Sequence, residues 1–412
     1  MTLFQILAVL LALAAVFAFL NQRYLRLPTA TGVMTVGLMF SVLVILFGEL
    51  GIPLDDWARA LLRGAKFDQA LLHGMLSFLL FAGALHVDLN HLARHKWTIF
   101  LLASVGVVLS TLIVGVCSWW VLAWVGAPLP LRWCFLFGAL ISPTDPIAVL
   151  ATLKSAGVPA NLEAAITGES LFNDGFAFVV FLVTLGAALG GKVPEAHELI
   201  DLLLVEVGGG LLLGLLIGSI AYRMISVVSS YHVEVIITLA VVTGAYALAD
   251  ALHLSGPIAV VVAGLLVGDH RRRLTRVDAP RAQLDTFYEL GDEILNVILF
   301  MLIGLEVLVL PFTWEFLFAG ALLIPTALLA RLISVGLPIG VLRFTGEFSR
   351  GTVQILTWGG LRGGVSVALA LSLPAGSQRD LILAGTYAIV LFSILVQGLT
   401  LGRLVRYLQR TG

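Results

Sequence analysis

The chain has 412 residues, 59% of them hydrophobic and only 12% charged, with a mean hydropathy of +1.04. A soluble domain carries about 25% charged residues, so this composition excludes a soluble globular protein. A net charge of −1 leaves no basic footprint for nucleic acid, and Cys117 and Cys134, with no CxxC between them, argue against a disulfide or zinc framework. Windows of about 20 apolar residues mark membrane-spanning helices. In chain order they fall near 3–20, 28–48, 67–87, 98–124, 133–153, 163–189, 200–222, 234–253, 256–269, 285–307, 314–342, 351–373 and 381–402, thirteen in all. Residues 55–66 read as a surface-lying piece with one apolar side. The first span lacks the basic leader of a signal peptide, so it is read as a retained helix.

Thirteen spans divide the lysines and arginines between the two faces of a membrane. Sixteen of the 24 fall on the side of Arg23, Arg94, Arg223 and Arg403, and six on the side of Arg59, Arg132 and Arg379. Arg331 and Arg362 remain inside spans. The richer side is cytoplasmic by the positive-inside rule, which puts the C-terminus inside and the N-terminus outside. A weak internal repeat accompanies this topology. LLFAGALHV (79–87) echoes FMLIGLEV (300–307), and SPTDP (142–146) has a counterpart at a similar offset in GGLRGG (359–364). An odd number of spans between the copies makes them inverted, with spans 1–6 matching 8–13 and span 7 connecting them, as in many secondary transporters.

Residues 141–175 carry the chemistry. ISPTDPIAVL (141–150) and TGESLFNDGF (167–176) lie in apolar surroundings, yet hold Thr144, Asp145, Glu169, Ser170, Asn173 and Asp174. A charge at mid-membrane costs roughly 3 kcal/mol or more on insertion scales, so these residues need a function or a partner. Pro143 and Pro146 flank Thr144 and Asp145. Each proline removes a backbone donor and clashes one turn back, so the helix is expected to break there. Broken helices at membrane depth are tolerated where the freed backbone lines a cavity or a site. In a helix over 163–189, Glu169 lies below Asn173 and Ser170 below Asp174, giving two adjacent polar rows. Carboxylates, hydroxyls and freed carbonyls are hard oxygen donors, which suit a small hard cation. The alternative is that the acids only pair with buried arginines and lock helices together.

The second break, TWGGLRGGVSVAL (357–369), carries Arg362 among four glycines. An intramembrane arginine needs an anionic partner. Glu169 is the preferred one, since Asp145 and Asp174 are better used on an ion. Glu306 and Arg331 are read as a structural pair. Gly210, Gly214 and Gly218, at four-residue spacing, are read as helix packing. Arg271–Arg273 is read as a topology anchor, and His86, Asp88, His91 and His95 as a polar group at a membrane-surface end.

SPTDPIAV, GESLFNDG and GGLRGGVS, in this order and topology, resemble the cation/proton antiporter superfamily, specifically the sodium/proton exchanger branch with an Asn-Asp pair on the sixth span. The resemblance implies an all-α membrane protein of about thirteen helices in two inverted six-helix repeats with crossed broken helices. It implies antiport of Na+, or another monovalent cation such as Li+ or K+, against H+ in the cell membrane, with no cofactor. Asp174 would hold proton and cation alternately. Asp145, Thr144 through its carbonyl, and Ser170 would complete the coordination, with Asn173, Glu169 and Arg362 as a supporting network. Residues 98–190 and 314–412 would form a moving core. Residues 1–97 and 234–313 would form a dimer-making scaffold, with 191–233 as the connector. Some relatives place a glutamate on the third span where this chain has Ala82. Three other functions compete: sodium-coupled uptake of an organic anion, which needs a second polar pocket, an intramembrane enzyme using Asp145 and Asp174 as an aspartyl pair, and a passive channel, which current versus coupled flux separates.

Overall fold

A computed structural model describes residues 2–50, 74–145, 149, 153, 158, 160–190, 196–228, 230–274, 282–309, 314–342 and 351–411. The surface piece expected at 55–66, Pro146 and the first turns of the 67–87 span lie outside the described residues. Every described element is helical. Helices α1 (Leu3–Leu20) and α2 (Thr29–Glu49) are joined by a π turn, Asn21–Leu25. The start of α1 is fixed by a capping box, in which the Thr2 side chain accepts from the Gln5 amide and Gln5 returns the bond. Next come α3 (Leu76–His86), α4 (Leu89–Arg94), α5 (Lys96–Ala103), α6 (Val105–Val125), α7 (Leu131–Ile141) and α8 (Ala160–Ala188). Then follow α9 (Ala196–Val227), α10 (Tyr231–Ala251), α11 (Gly256–Leu274) and α12 (Ala282–Glu306). The last group is α13 (Trp314–Leu342), α14 (Thr352–Trp358), α15 (Gly364–Leu371), α16 (Ser377–Phe392) and α17 (Gly398–Thr411).

Among the described residues, eight helical stretches are long and apolar enough to cross a membrane, and α3, α7 and the apolar part of α11 are shorter. This is a multi-pass membrane protein. Its lipid-facing logic is visible in α9, whose apolar window is only 22% buried, against 67% for the stretch Ser377–Arg410 at the centre of the bundle. The largest buried cluster brings α1, α2, α7, α12, α13, α15 and α16 together. The Gly210–Gly214–Gly218 stripe packs as expected: a Cβ on Gly214 would lie 2.5 Å from the Ala259 carbonyl of α11.

The two expected breaks are both present. Helix α7 stops at Ile141 and residues 142–145 are non-helical, while α14 and α15 are separated by non-helical 360–363. Glycine lets α7 lie close against α6. A Cβ at Gly138 would sit 2.3 Å from the Thr111 carbonyl oxygen, and a backbone atom cannot swing aside. The same approach lets Ser142 donate to the Gly138 carbonyl at 2.7 Å and bond with the Thr111 hydroxyl at 3.1 Å, which positions the last residue before the break. Gly138→Ala is therefore expected to destabilise the fold by about 1–3 kcal/mol. A lower thermal unfolding midpoint in detergent is the readout, and an unchanged midpoint would contradict this packing.

Candidate cation site at two broken helices

The site forms where the two breaks meet. The Asp145 amide donates to the Leu361 carbonyl at 2.8 Å, a backbone bond that joins one interrupted helix to the other. Arg362 reaches back, and its guanidinium donates to the carbonyls of Ser142 and of Pro143, the latter at 2.9 Å. The reason is in the sequence. In an unbroken helix the Ser142 carbonyl would accept from residue 146, and residue 146 is a proline with no N–H. Arg362 supplies the missing donors. A Cβ at Gly363 would fall 2.0 Å from the Asp145 carboxylate, so only glycine lets the start of α15 come this close. The positive end of that short helix dipole then lies beside an acid.

Helix α8 supplies the other wall. Asn173 donates from Nδ2 to the Thr144 hydroxyl at 2.7 Å, and that hydroxyl lies 3.1 Å from the Ser170 hydroxyl. Thr144, Ser170, Asn173 and Asp174 are all buried, Asp174 being 6% exposed. The side-chain network clamps the non-helical segment onto α8 and leaves the Asn173 Oδ1 without a hydrogen-bond partner among the described residues. Asp145 and Asp174 face a cavity of about 470 Å³. With water occupying about 30 Å³ per molecule, it has room for a small cation keeping part of its hydration shell. The cavity is also lined by Ala82, His86, Asp88, His91 and Glu163, so it takes in three of the four polar residues placed at a membrane-surface end. His95 is instead buried.

The structure brings together Thr144, Asp145, Ser170, Asn173 and Asp174, and places Arg362 next to them. It corrects the pairing of Glu169. Glu169 accepts two bonds from Arg331 of α13, one of them at 3.0 Å from Nη2, and both side chains are buried. Arg331 is thus not held by Glu306, and Arg362 is held by carbonyls rather than by Glu169. Glu169 does stay within electrostatic reach of Arg362. The physical reason is geometric. Arg362 sits inside the second break, where its shortest path leads to the carbonyls orphaned in the first, while Arg331 projects from a neighbouring helix at the level of Glu169. Arg331 also donates to the Leu356 carbonyl of α14 at 3.3 Å, so one arginine ties α8, α13 and α14 together. Asp292 of α12, which the sequence did not single out, lines the cavity too. Its only signal was an acid one turn above Asn296 on a helix otherwise apolar toward its C-terminus.

The chain has close relatives. Residues 8–407 match the family model described as sodium/hydrogen exchanger, transmembrane. The Na(+)/H(+) antiporter NhaP of Pseudomonas aeruginosa is 48% identical over 407 residues, which cover 98% of this chain and 96% of that protein. The Na(+)/H(+) antiporter NhaH of Halobacillus dabanensis is 35% identical over 417 residues, covering 98% and 97%. In fold, the sodium proton antiporter MjNhaP1 of Methanocaldococcus jannaschii superposes with a TM-score of 0.76 at 22% identity, over 99% of each chain. By both its sequence and the paired breaks around Asp145 and Asp174, this protein belongs to the sodium/hydrogen exchanger family.

Proposed function

We propose that this protein exchanges Na+ for H+ across the cell membrane by alternating access, with proton and cation competing for Asp174. The observation that carries the proposal is that Asp174, Asp145 and Thr144 line one cavity, with the Ser170 hydroxyl 3.1 Å from that of Thr144. Such a set of oxygen donors suits a small hard cation. Asp145, Asp174, the Thr144 carbonyl and Ser170 are assigned to the ion, and Asn173, Glu169 and Arg362 to its support, with Arg331 added. Sodium is the cation of the relatives' names, and Li+ or K+ are the other candidates to test.

The wider architecture belongs to the same proposal: thirteen spans, two inverted six-helix repeats, a core of residues 98–190 and 314–412, a scaffold of residues 1–97 and 234–313, and a homodimer in the lipid bilayer. The excess of Lys and Arg places the C-terminus in the cytoplasm and the N-terminus outside. His86, Asp88 and His91, which line the cavity, precede Arg94 and Lys96 of the richer side in the sequence, and this supports a cavity that opens inward. The organic-anion alternative loses support because the cavity already ends on the two carboxylates.

Stoichiometry follows from charge. Glu169 is neutralised by Arg331, and Asn173 adds no carboxylate, so Asp174 is the group that exchanges its proton while Asp145 stays ionised. One proton then leaves as one monovalent cation arrives, and the site carries the same charge in both directions. The membrane potential contributes ~2.3 kcal/mol per translocated charge per 100 mV, and here it exerts no net drive. The test reconstitutes the protein in liposomes with a pH reporter and adds Na+, Li+ or K+ in turn. Opposite potassium-diffusion potentials are then imposed. The proton gradient at which flux vanishes should not move, and a balance point that shifts with voltage would require a second titrating acid.

A further inference from the structure

One face of α12 is polar where the rest of the helix packs. Glu289, Asp292, Asn296 and Leu299 are spaced by three or four residues and so share that face. At the mouth, Glu289 lies 3.7 Å from His86. One turn deeper, the half-buried Asp292 lines the cavity that ends on Asp145 and Asp174. Asn296 lies one turn further along the same face. Asn296 is 6% exposed, and its Oδ1 has no hydrogen-bond partner among the described residues. Deeper still, Leu299 abuts the second break: a Cβ at Gly364 would lie 2.4 Å from Leu299 Cδ1. Two residues on, Ser366 lines the cavity, is 1% exposed, and leaves its hydroxyl without a hydrogen-bond partner among the described residues. A buried hydroxyl without a partner is costly unless something polar visits it.

We infer that Asp292 and the Ser366 hydroxyl, with Asn296 behind them, form a second stop for the monovalent cation in the cavity that Asp145 and Asp174 also line. This rests on the exchange reading above and deepens it. A carboxylate and a hydroxyl are hard donors of the same kind as the main set. A negative charge part-way down a cavity with low-dielectric walls raises the local cation concentration. Within the proposed division of the chain, Asp292 belongs to the scaffold, and Ser366, Asp145 and Asp174 to the moving core. The staging carboxylate therefore meets the ion while the cavity is open and stays behind when the core moves.

The test compares wild type, Asp292→Asn, Asp292→Glu and Ser366→Ala in liposomes carrying a pH reporter, with Na+ titrated on the cavity side. Asp292→Asn should raise the apparent KM for Na+ about tenfold, the scale of one unit charge at a partly screened separation, with a smaller change in maximal rate. Asp292→Glu should restore most of the affinity. Ser366→Ala should raise KM about threefold, as for loss of one neutral polar contact, and it carries the test if Asp292→Asn does not fold. A second readout needs no transport: the Na+ concentration that half-maximally raises the thermal unfolding midpoint should shift in the same direction. An Asp292→Asn protein with wild-type KM and a wild-type Na+ midpoint would overturn the staging role alone, as would an Asp292→Glu protein equally impaired. Wild-type liposomes that move no protons on Na+ addition would instead overturn the exchange reading.

Discussion

Asp174→Asn should reduce Na+-driven proton flux to that of protein-free liposomes while the purified protein still unfolds cooperatively on heating. Shared-site exchange needs a group that gives up its proton when the cation binds and takes one when it leaves, and an amide does neither. Asparagine has nearly the volume of aspartate, and Asp174 sits at a cavity wall rather than in a packed interior. The substitution should therefore cost little stability, and relief from the neighbouring Asp145 charge should offset part of that. The check is paired: pH-reporter flux with Na+ from 1 mM upward on the order of physiological concentrations, and a thermal melt of the same preparation. Residual flux that saturates with Na+ would move the exchanging role to Asp145.

The second large effect concerns the Glu169–Arg331 pair. Both side chains are buried, at 1% and 7% exposure, and two bonds join them. Removing one partner leaves the other charge stranded in a low-dielectric interior, which typically costs about 3–5 kcal/mol. Glu169→Ala and Arg331→Ala should each lower the thermal midpoint strongly or prevent accumulation of folded protein. The double variant should cost less than the sum, because neither charge is then left alone. The control is Arg362. It donates to the carbonyls of Ser142 and Pro143 and makes no hydrogen bond to Glu169 among the described residues, so combining Glu169→Ala with Arg362→Ala should bring no comparable relief. If the relief appeared with Arg362 and not with Arg331, the pairing given by the structure would be wrong.

These two cases show what the sequence made legible. Pro143 with Pro146, and the glycines around Arg362, act on the backbone of their own residues, so both breaks could be read without knowing any neighbour. Asp174, Asn173 and Ser170 share one helix, and helical spacing alone puts them side by side. The partner of Glu169 is a different matter. Two arginines lie inside spans, and choosing between them requires the depth and rotation of α13 relative to α8, across 162 residues of sequence. Hydropathy windows carry no such information. Asp292 was hidden for a related reason. It lies near the start of its span, where an acid looks like an ordinary polar end, and only the packing of Leu299 against Gly364 turns that face toward the site. The thirteen-span count and the inverted repeat rest on the charge map and the weak repeat, since eight described helical stretches are long and apolar enough to cross a membrane.

The bond from Arg362 to the Ser142 carbonyl has a consequence for how this sequence can drift. The carbonyl is available because residue 146 is proline, and the buried guanidinium has an acceptor because the carbonyl is available. A mutation that restores an amide at position 146 would give the carbonyl a competing donor and weaken the hold on a buried cation 216 positions away. A mutation that removes Arg362 first would orphan two carbonyls at membrane depth. Neither single step is neutral, so the two positions are inherited together or lost together. The double proline and the distant arginine thus behave as one trait, written in two places along the chain.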